Sequence, residues 1–198
     1  MNFWDQQFSS DSFKYGTAPN AFLAEQASRI APCSYVLVPG DGEGRNSVWL
    51  AEQGHRVLAI DASSVGLSKA RKLADQRQVT IETECADLTH WVASRPYDAV
   101  VLTYVHLPAE CRQAVHQAVA QALRPGGILI LEAFNPGQLA KTSGGPKNPE
   151  MLYSLDLIRN DFNGLLHETY GTEIETTLDE GPGHQGPACV TRYIGKRV

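Results

Sequence analysis

The sequence predicts an α/β fold: a doubly wound, Rossmann-like sheet of seven strands, mostly parallel, that closes with a C-terminal antiparallel hairpin. Three observations predict it. Short apolar runs alternate with helical patterns through residues 35–131, the spacing of successive βαβ units. The first apolar run leads into a loop with glycine at alternate positions, Gly40, Gly42 and Gly44. Two late segments of alternating polarity flank the turn-forming residues 181–187, GPGHQGP, as in a hairpin. With 198 residues, 42% of them hydrophobic and 20% charged, the chain can bury one substantial core. Residues 1–198 are therefore read as a single domain, with residues 1–31 as a cover over its ligand site.

The opening 20 residues show no clear period, but Trp4, Phe8, Phe13 and Tyr15 give them apolar weight, so they are expected to dock on the body. A helix follows from residue 20 to about 30, with Ala21, Leu23 and Ala24 among its apolar positions and Pro32 interrupting it. Residues 35–38 read as a buried parallel strand. Residues 45 to about 53 read as a helix stopped by Gly54. The run RVLAI, residues 56–60, is a second buried strand. Residues 64 to about 75 are helical, with Leu67, Ala70 and Ala74 on one face. A third strand over 79–85 is polar enough to lie near an edge, and 99–102 is the fourth. The next helix starts at Pro108 and carries a stripe of Cys111, Ala114, Val115, Ala118, Val119 and Ala122. A turn at 124–127 precedes the fifth strand, 128–131. Residues 136–149 read as an inserted loop and 151–160 as a helix. Residues 173–178 and 188–194 are the hairpin strands.

Composition narrows the function. A formal net charge of -5 disfavours a surface built on phosphate contacts, so no nucleic-acid partner is expected. The four cysteines, Cys33, Cys85, Cys111 and Cys189, are scattered without a CxxC pair and read as buried thiols of a reducing compartment. No apolar run approaches the ~18 residues of a membrane span, and the polar, aromatic start is unlike a signal peptide. The expected location is cytoplasmic, without membrane attachment.

The site is sought beyond the carboxyl ends of the strands. Glycines in the loop Gly40-Asp41-Gly42-Glu43-Gly44-Arg45-Asn46 allow positive φ and close ligand approach, and the loop feeds a helix N-terminus. A dinucleotide fingerprint GxGxxG needs glycine at position 45, where this chain has arginine. Asp61, closing the second strand, can accept both hydroxyls of a ribose; its competing reading is a helix N-cap. Asp87 can accept an adenine amino group while Leu88 covers the ring; otherwise Asp87 is a solvated loop carboxylate.

These residues resemble class I S-adenosylmethionine (SAM)-dependent methyltransferases, and most closely the small bacterial branch related to tellurite-resistance and thiopurine methyltransferases. The resemblance runs through YGTAPN (15–20), GDGEGRN (40–46), AIDAS (59–63), ADL (86–88) and LRPGG (123–127). It implies SAM as cofactor and S-adenosylhomocysteine as product. In such a family the glycine loop holds the methionine part, the Asp61 position the ribose and the Asp87–Leu88 position the adenine. The expected cofactor residues are Tyr15, Gly40, Asp41, Gly42, Glu43, Gly44, Asn46, Asp61, Ala62, Ser63, Asp87, Leu88 and Thr103. One departure stands out: many relatives carry an acidic residue two before the first glycine, where this chain has Val38. Asp41, Glu43 or the Tyr15 segment is expected to replace it.

Methyl transfer from a sulfonium is an in-line displacement in which alignment and exclusion of water do much of the work. His106 and His184 are placed to take a proton from a nucleophile, each with a hydrogen-bonded structural role as the alternative. Lys147 and Glu180 are further candidates, and Tyr104 either lines the pocket or packs. No carboxylate cluster suggests a metal, and the fourth strand ends Thr103-Tyr104-Val105-His106 instead of the Asn-Pro-Pro-Tyr that grips a flipped base. The expected substrate is a small molecule, and the resemblance suggests a soft nucleophile, a thiol or other chalcogen. The competing readings are an N- or O-methyltransferase acting on protein or nucleic acid, a non-catalytic SAM-binding domain, and a nicotinamide dehydrogenase, which Arg45 disfavours.

Overall fold

A period of two along the apolar runs decides where each helix packs. The computed structural model describes residues 2–198. In chain order it contains α1 (Phe3–Gln7), α2 (Ala21–Gln26), β1 (Tyr35–Pro39), α3 (Arg45–Glu52), β2 (Arg56–Asp61), α4 (Ser64–Gln76) and β3 (Glu82–Cys85). There follow β4 (Tyr97–Thr103), α5 (Ala109–Gln121), β5 (Leu123–Phe134), α6 (Leu155–Asp161), β6 (Leu166–Asp179) and β7 (Gln185–Arg197). The seven strands form one sheet in the order β3-β2-β1-β4-β5-β7-β6. The first five pair in parallel, and β7 then runs antiparallel to both β5 and β6.

Val36 and Val38 enter one core with Ala99, Val101 and Ile130, covered by Phe22 and Leu23 of α2 and Leu50 of α3. Leu37 enters the opposite core with Val100, Leu102, Leu129 and Leu131, covered by Val119 and Ala120 of α5 and Ile158 of α6. Burial on both faces is why these strands read as continuous apolar runs. Helix α4 packs on α3 through Leu73 and Val48. The seven-stranded, mostly parallel sheet with its C-terminal hairpin is the architecture the sequence predicts.

Several details differ from the sequence reading. The third strand, expected over 79–85, is shorter. Gln78 takes a left-handed φ of 58°, and Val79 and Ile81 pack beside Leu73 instead of pairing. The stripe on α5 is rotated: Ala114 is exposed, whereas Val115, His116, Val119 and Ala120 are buried. His116 Nδ1 and Arg112 Nε each lie 2.8 Å from Asp161 Oδ2 on α6, and this ionic clamp turns that edge inward. The helix expected from 20 to 30 stays α-helical only to Gln26 and ends in a 3-10 turn, Ala27–Arg29. The late helix starts at Leu155, capped by Ser154, which accepts from Leu157 N. Both hairpin strands run several residues longer than their alternation showed, because β6 and β7 pair along nearly their whole length.

Gly44 is the tightest point between loop and helix. It sits at φ 93°, and a Cβ there would stand 2.6 Å from both Cα and Cβ of Ala70 on α4. Gly54 has a similar φ, 87°, but open space around it. Gly44→Ala is expected to cost about 3 kcal/mol, strain plus overlap, and Gly54→Ala only about 1 kcal/mol, strain alone. Urea denaturation of the two variants checks the difference; equal losses would contradict the packing argument.

Candidate active site

Strand order reverses between β1 and β4, the central pair, and ligands of doubly wound sheets bind beyond the carboxyl ends at such a point. A cavity of about 920 Å³ opens there. Of the expected cofactor residues, Tyr15, Gly40, Asp41, Gly42, Asn46, Asp61, Ala62, Asp87, Leu88 and Thr103 line it. Phe3, Trp4, Gln7 and Phe8 of the N-terminal segment line it too, so the opening residues do dock over this end of the sheet.

The glycine loop is braced from below. Gly40, Gly42 and Gly44 all have positive φ, the left-handed conformation that favours glycine. Asp61 Oδ2 accepts from Gly42 N and Oδ1 from Ser63 N, each at 2.8 Å. Burial holds the Asp61 carboxyl above its usual range, against the opposing bonds from Ser63 and Gly42. The N-cap of α4 is Ser63, whose Oγ accepts from Gly66 N at 3.0 Å, so Asp61 is not the cap and borders the cavity instead. Burial pushes the Asp41 carboxyl up to about 7, with the hydroxyl and amide of Ser47 pulling against it. Asp87 is exposed and accepts from Thr89 N at 2.9 Å, while Leu88 is half-buried.

Three expected cofactor residues do not reach the cavity. Glu43 is buried and spent on structure, taking Lys14 N at 2.8 Å and the ammonium of Lys69. Gly44 faces Ala70. Ser63 donates its hydroxyl to Asp5 Oδ1 at 2.8 Å, which ties α1 to the start of α4.

The catalytic candidates separate clearly. His106 Nδ1 lies 2.6 Å from Met151 O, and Nε2 accepts from Phe134 N at 3.2 Å. Both nitrogens are bound to backbone, and burial lowers the pKa to about 4. His106 lines the cavity as a neutral spacer with no nitrogen left for a proton. Lys147 is exposed on the inserted loop, donates to Lys141 O at 3.2 Å and does not line the cavity. Glu180 is buried behind the wall, its oxygens accepting from Asn20 Nδ2 at 3.0 Å, Ala21 N at 3.1 Å and Arg45 Nη1 at 2.9 Å. Burial works against its ionisation, but His184, Arg45 and Ala21 outweigh it and bring the pKa down to about 2. His184 is 5% exposed and lines the cavity, its ring centroid 4.3 Å from Tyr15 and 4.4 Å from Tyr104. Its Nδ1 has no hydrogen-bond partner among the described residues and stands 3.8 Å from Glu180 Oε2. Burial keeps its pKa below the ordinary histidine value, with Glu180 opposing.

Sequence reasoning did not assign a role to Glu132, Arg45 or Arg192. Glu132 is 1% exposed. It accepts from Asn20 Nδ2 and Tyr104 OH, each at 2.7 Å, and from Arg192 Nε. Asn20 N in turn donates to Asn46 Oδ1 at 2.9 Å, and Asn46 Nδ2 to Thr103 Oγ1 at 2.7 Å. One signal was present: a lone carboxylate inside the apolar run ILILEAF. Tyr104, at φ 56°, holds a left-handed backbone at the end of β4 that costs a non-glycine residue ~1–3 kcal/mol. Its N–H donates to Glu132 O at 2.8 Å and its hydroxyl to Glu132 Oε1. Tyr104 and His184 line the cavity without filling it.

Residues 36–127 match the family model described as "Methyltransferase domain". A curated relative, glycine N-methyltransferase of Mus musculus, is 27% identical over 81% of this chain and 62% of its own length. The chain thus spans less than two thirds of that relative. Three solved structures share the fold. One, from work titled "Conversion of a Disulfide Bond into a Thioacetal Group during Echinomycin Biosynthesis", has TM-score 0.77 at 20% identity over 98% of this chain and 90% of the other. TehB from Haemophilus influenzae has TM-score 0.74 at 16% identity, covering 99% of this chain and 66% of TehB. The N-methyltransferase NodS from Bradyrhizobium japonicum, solved with S-adenosylhomocysteine, has TM-score 0.72 at 14% identity, with 98% and 96% covered. The sequence likeness to methyltransferases thus centres on residues 36–127, and the likeness to the solved structures is one of fold.

Two outcomes follow from this geometry. Asp61→Ala is expected to weaken S-adenosylhomocysteine binding about 100-fold in calorimetry, the loss of two charge-assisted bonds; unchanged affinity would remove Asp61 from the site. His106 has a folded-state pKa near 4 and an ordinary value near 6.5 when unfolded. The unfolded chain therefore takes up more protons between those values, so stability should fall as pH drops from about 6.5 to about 4. His106→Asn should flatten that part of the stability–pH curve, and an unaltered curve would contradict the buried neutral imidazole.

Proposed function

We propose that this protein is a SAM-dependent methyltransferase whose acceptor is a small molecule bearing a soft nucleophile, a thiol or other chalcogen. The observation that carries the reading is one cavity with two chemically different ends. At the cofactor end lie the positive-φ glycine loop and Asp61. At the acceptor end lie Tyr15, Tyr104, Phe134 and His184. The residues fit the cofactor: Gly40, Gly42 and Asn46 line its amino-acid end, the Asp61 carboxylate faces its ribose diol, and Asp87 with Leu88 borders its adenine. When bound, the cofactor supplies an electrophilic methyl on a positively charged sulfur.

The acceptor end favours a nucleophile that needs little help. His184 lines this end, its Nδ1 buried beside Glu180 and its ring bordering the cavity. Kept neutral at pH 7 by burial, with Glu180 beside Nδ1, it accepts the proton that a thiol sheds as its sulfur–carbon bond forms. Thiols ionise near neutral pH and ask no more than this. Aromatic faces at the reacting end exclude water and stabilise a sulfonium. The likeness to TehB and the GDGEGRN loop support placement beside the tellurite-resistance branch. Of the four cysteines read as buried, only Cys189 is, with Cys33 and Cys85 exposed near strand ends. Their unpaired state supports a reducing, cytoplasmic setting, and no described helix is long and apolar enough to cross a membrane.

Labelled SAM offered with a panel of thiols, amines and phenols tests the acceptor: label is expected on thiols, and label on amines alone would overturn the assignment. His184→Gln is expected to lower kcat about 100-fold at pH 7 for an alkanethiol and less for a thiol of lower pKa. Equal loss for both thiols would show that His184 does not handle the proton.

A further inference from the structure

We infer that Arg45 anchors the carboxylate of the cofactor's amino-acid end, so that this chain grips the zwitterion by its negative pole. The inference rests on the SAM reading above and extends it to a residue with no assigned role. Strand β1 enters the glycine loop through Val38 and Pro39, which offer no charge to that end. The charged groups near the loop can be taken in turn. Glu43 is engaged by Lys69 and Lys14 N, and the Lys14 ammonium, held by Gln7 Oε1, presents a point charge on a flexible stem and no planar fork. Asp41 receives two bonds from Ser47 and, being an acceptor, can offer its remaining lone pairs to the ammonium but not to the carboxylate.

Arg45 is different. It is 7% exposed and lies at the junction of the main cavity and a small pocket bounded by Tyr15, Gly16, Asp41 and Glu43. Its Nη1 donates to Glu180 Oε2 at 2.9 Å, and its other guanidinium nitrogens make no hydrogen bond among the described residues. Glu180 cannot swing away, because its other oxygen is held by Asn20 Nδ2 and Ala21 N. The guanidinium is thus fixed by one corner with its remaining donors at the cavity wall. A planar fork held in this way matches a carboxylate in two parallel bonds. The cofactor's ammonium is left to Asp41, whose carboxylate lines the same end.

Calorimetry on the full chain tests the assignment with two ligands, S-adenosylhomocysteine and its decarboxylated analogue, S-adenosyl-3-thiopropylamine. Arg45→Gln should weaken S-adenosylhomocysteine about 30-fold and the analogue less than about threefold, because only the first ligand has the carboxylate. Arg45→Lys, which keeps the charge without the fork, should lose about 5- to 10-fold for S-adenosylhomocysteine alone; it serves in place of the glutamine variant should that variant not fold. Equal loss for both ligands would overturn the anchor and leave Arg45 a brace for Glu180, and no loss for either would overturn it as well. If wild-type protein ignores both ligands at millimolar concentration, the cofactor reading itself falls, an outcome distinct from the other two.

Discussion

Two carboxylates buried at the carboxyl edge of the sheet set the terms for everything around them. Glu132 is 1% exposed in the middle of the fold, and Glu180, at the end of the hairpin strand, is 8% exposed. A buried charge without a partner costs several kcal/mol even after relaxation, so each must be surrounded by donors. Asn20 does this for both, its amide nitrogen 2.7 Å from Glu132 Oε1 and 3.0 Å from Glu180 Oε1. Arg192 and Arg45 supply the compensating charges. Because these donors come from the N-terminal segment, the glycine-loop helix and the last strand, satisfying the two carboxylates forces those three pieces together.

That constraint explains the rigidity of the pocket. Asn20 caps α2 through Leu23 N and reaches Asn46 at the start of α3 through its own N–H. The segment before it is therefore pinned between sheet and loop and does not trail free. Glu132 also holds Tyr104 in a left-handed conformation by both its backbone carbonyl and its carboxylate. A strained residue at a strand end persists only where its surroundings over-determine it, and here one glutamate does so twice. The tip of the hairpin meets the N-terminal segment directly, Gly183 N donating to Lys14 O at 2.8 Å. Catalysis by alignment asks for a pocket of this stiffness, since small displacements of reacting groups are costly.

How much of this was legible in the sequence follows from how far apart the contacting residues lie. The sheet, its parallel core and the cofactor half of the cavity are built from short contiguous stretches: a strand, its loop and the next helix. Periodicity, glycine spacing and a carboxylate at a strand end report such units directly, so the expectation that Gly40, Gly42, Asp61 and Asp87 share one edge of the sheet needed no coordinates. The other half is built across the chain, with Asn20 to Glu180 separated by 160 residues and Arg45 to Glu180 by 135. No local pattern records that Arg45 turns toward a hairpin. His106 was misjudged for the same reason. A histidine after a strand looks like a base until Met151 O and Phe134 N take both its nitrogens. The rotation of α5 escaped because its cause, Asp161, lies 45 residues beyond His116.

The same network that assembles the acceptor end also strips it of charge. Arg192 is spent on Glu132, the Tyr104 hydroxyl on the same carboxylate, Arg45 Nη1 on Glu180 and the His106 nitrogens on backbone. Tyr15, Tyr104, Phe134 and His184 pack against one another along that part of the wall. Two buried glutamates therefore do more than fix the shape of the pocket. By engaging neighbouring cations and the Tyr104 hydroxyl, they leave His184 among aromatic faces that desolvate whatever binds beside it.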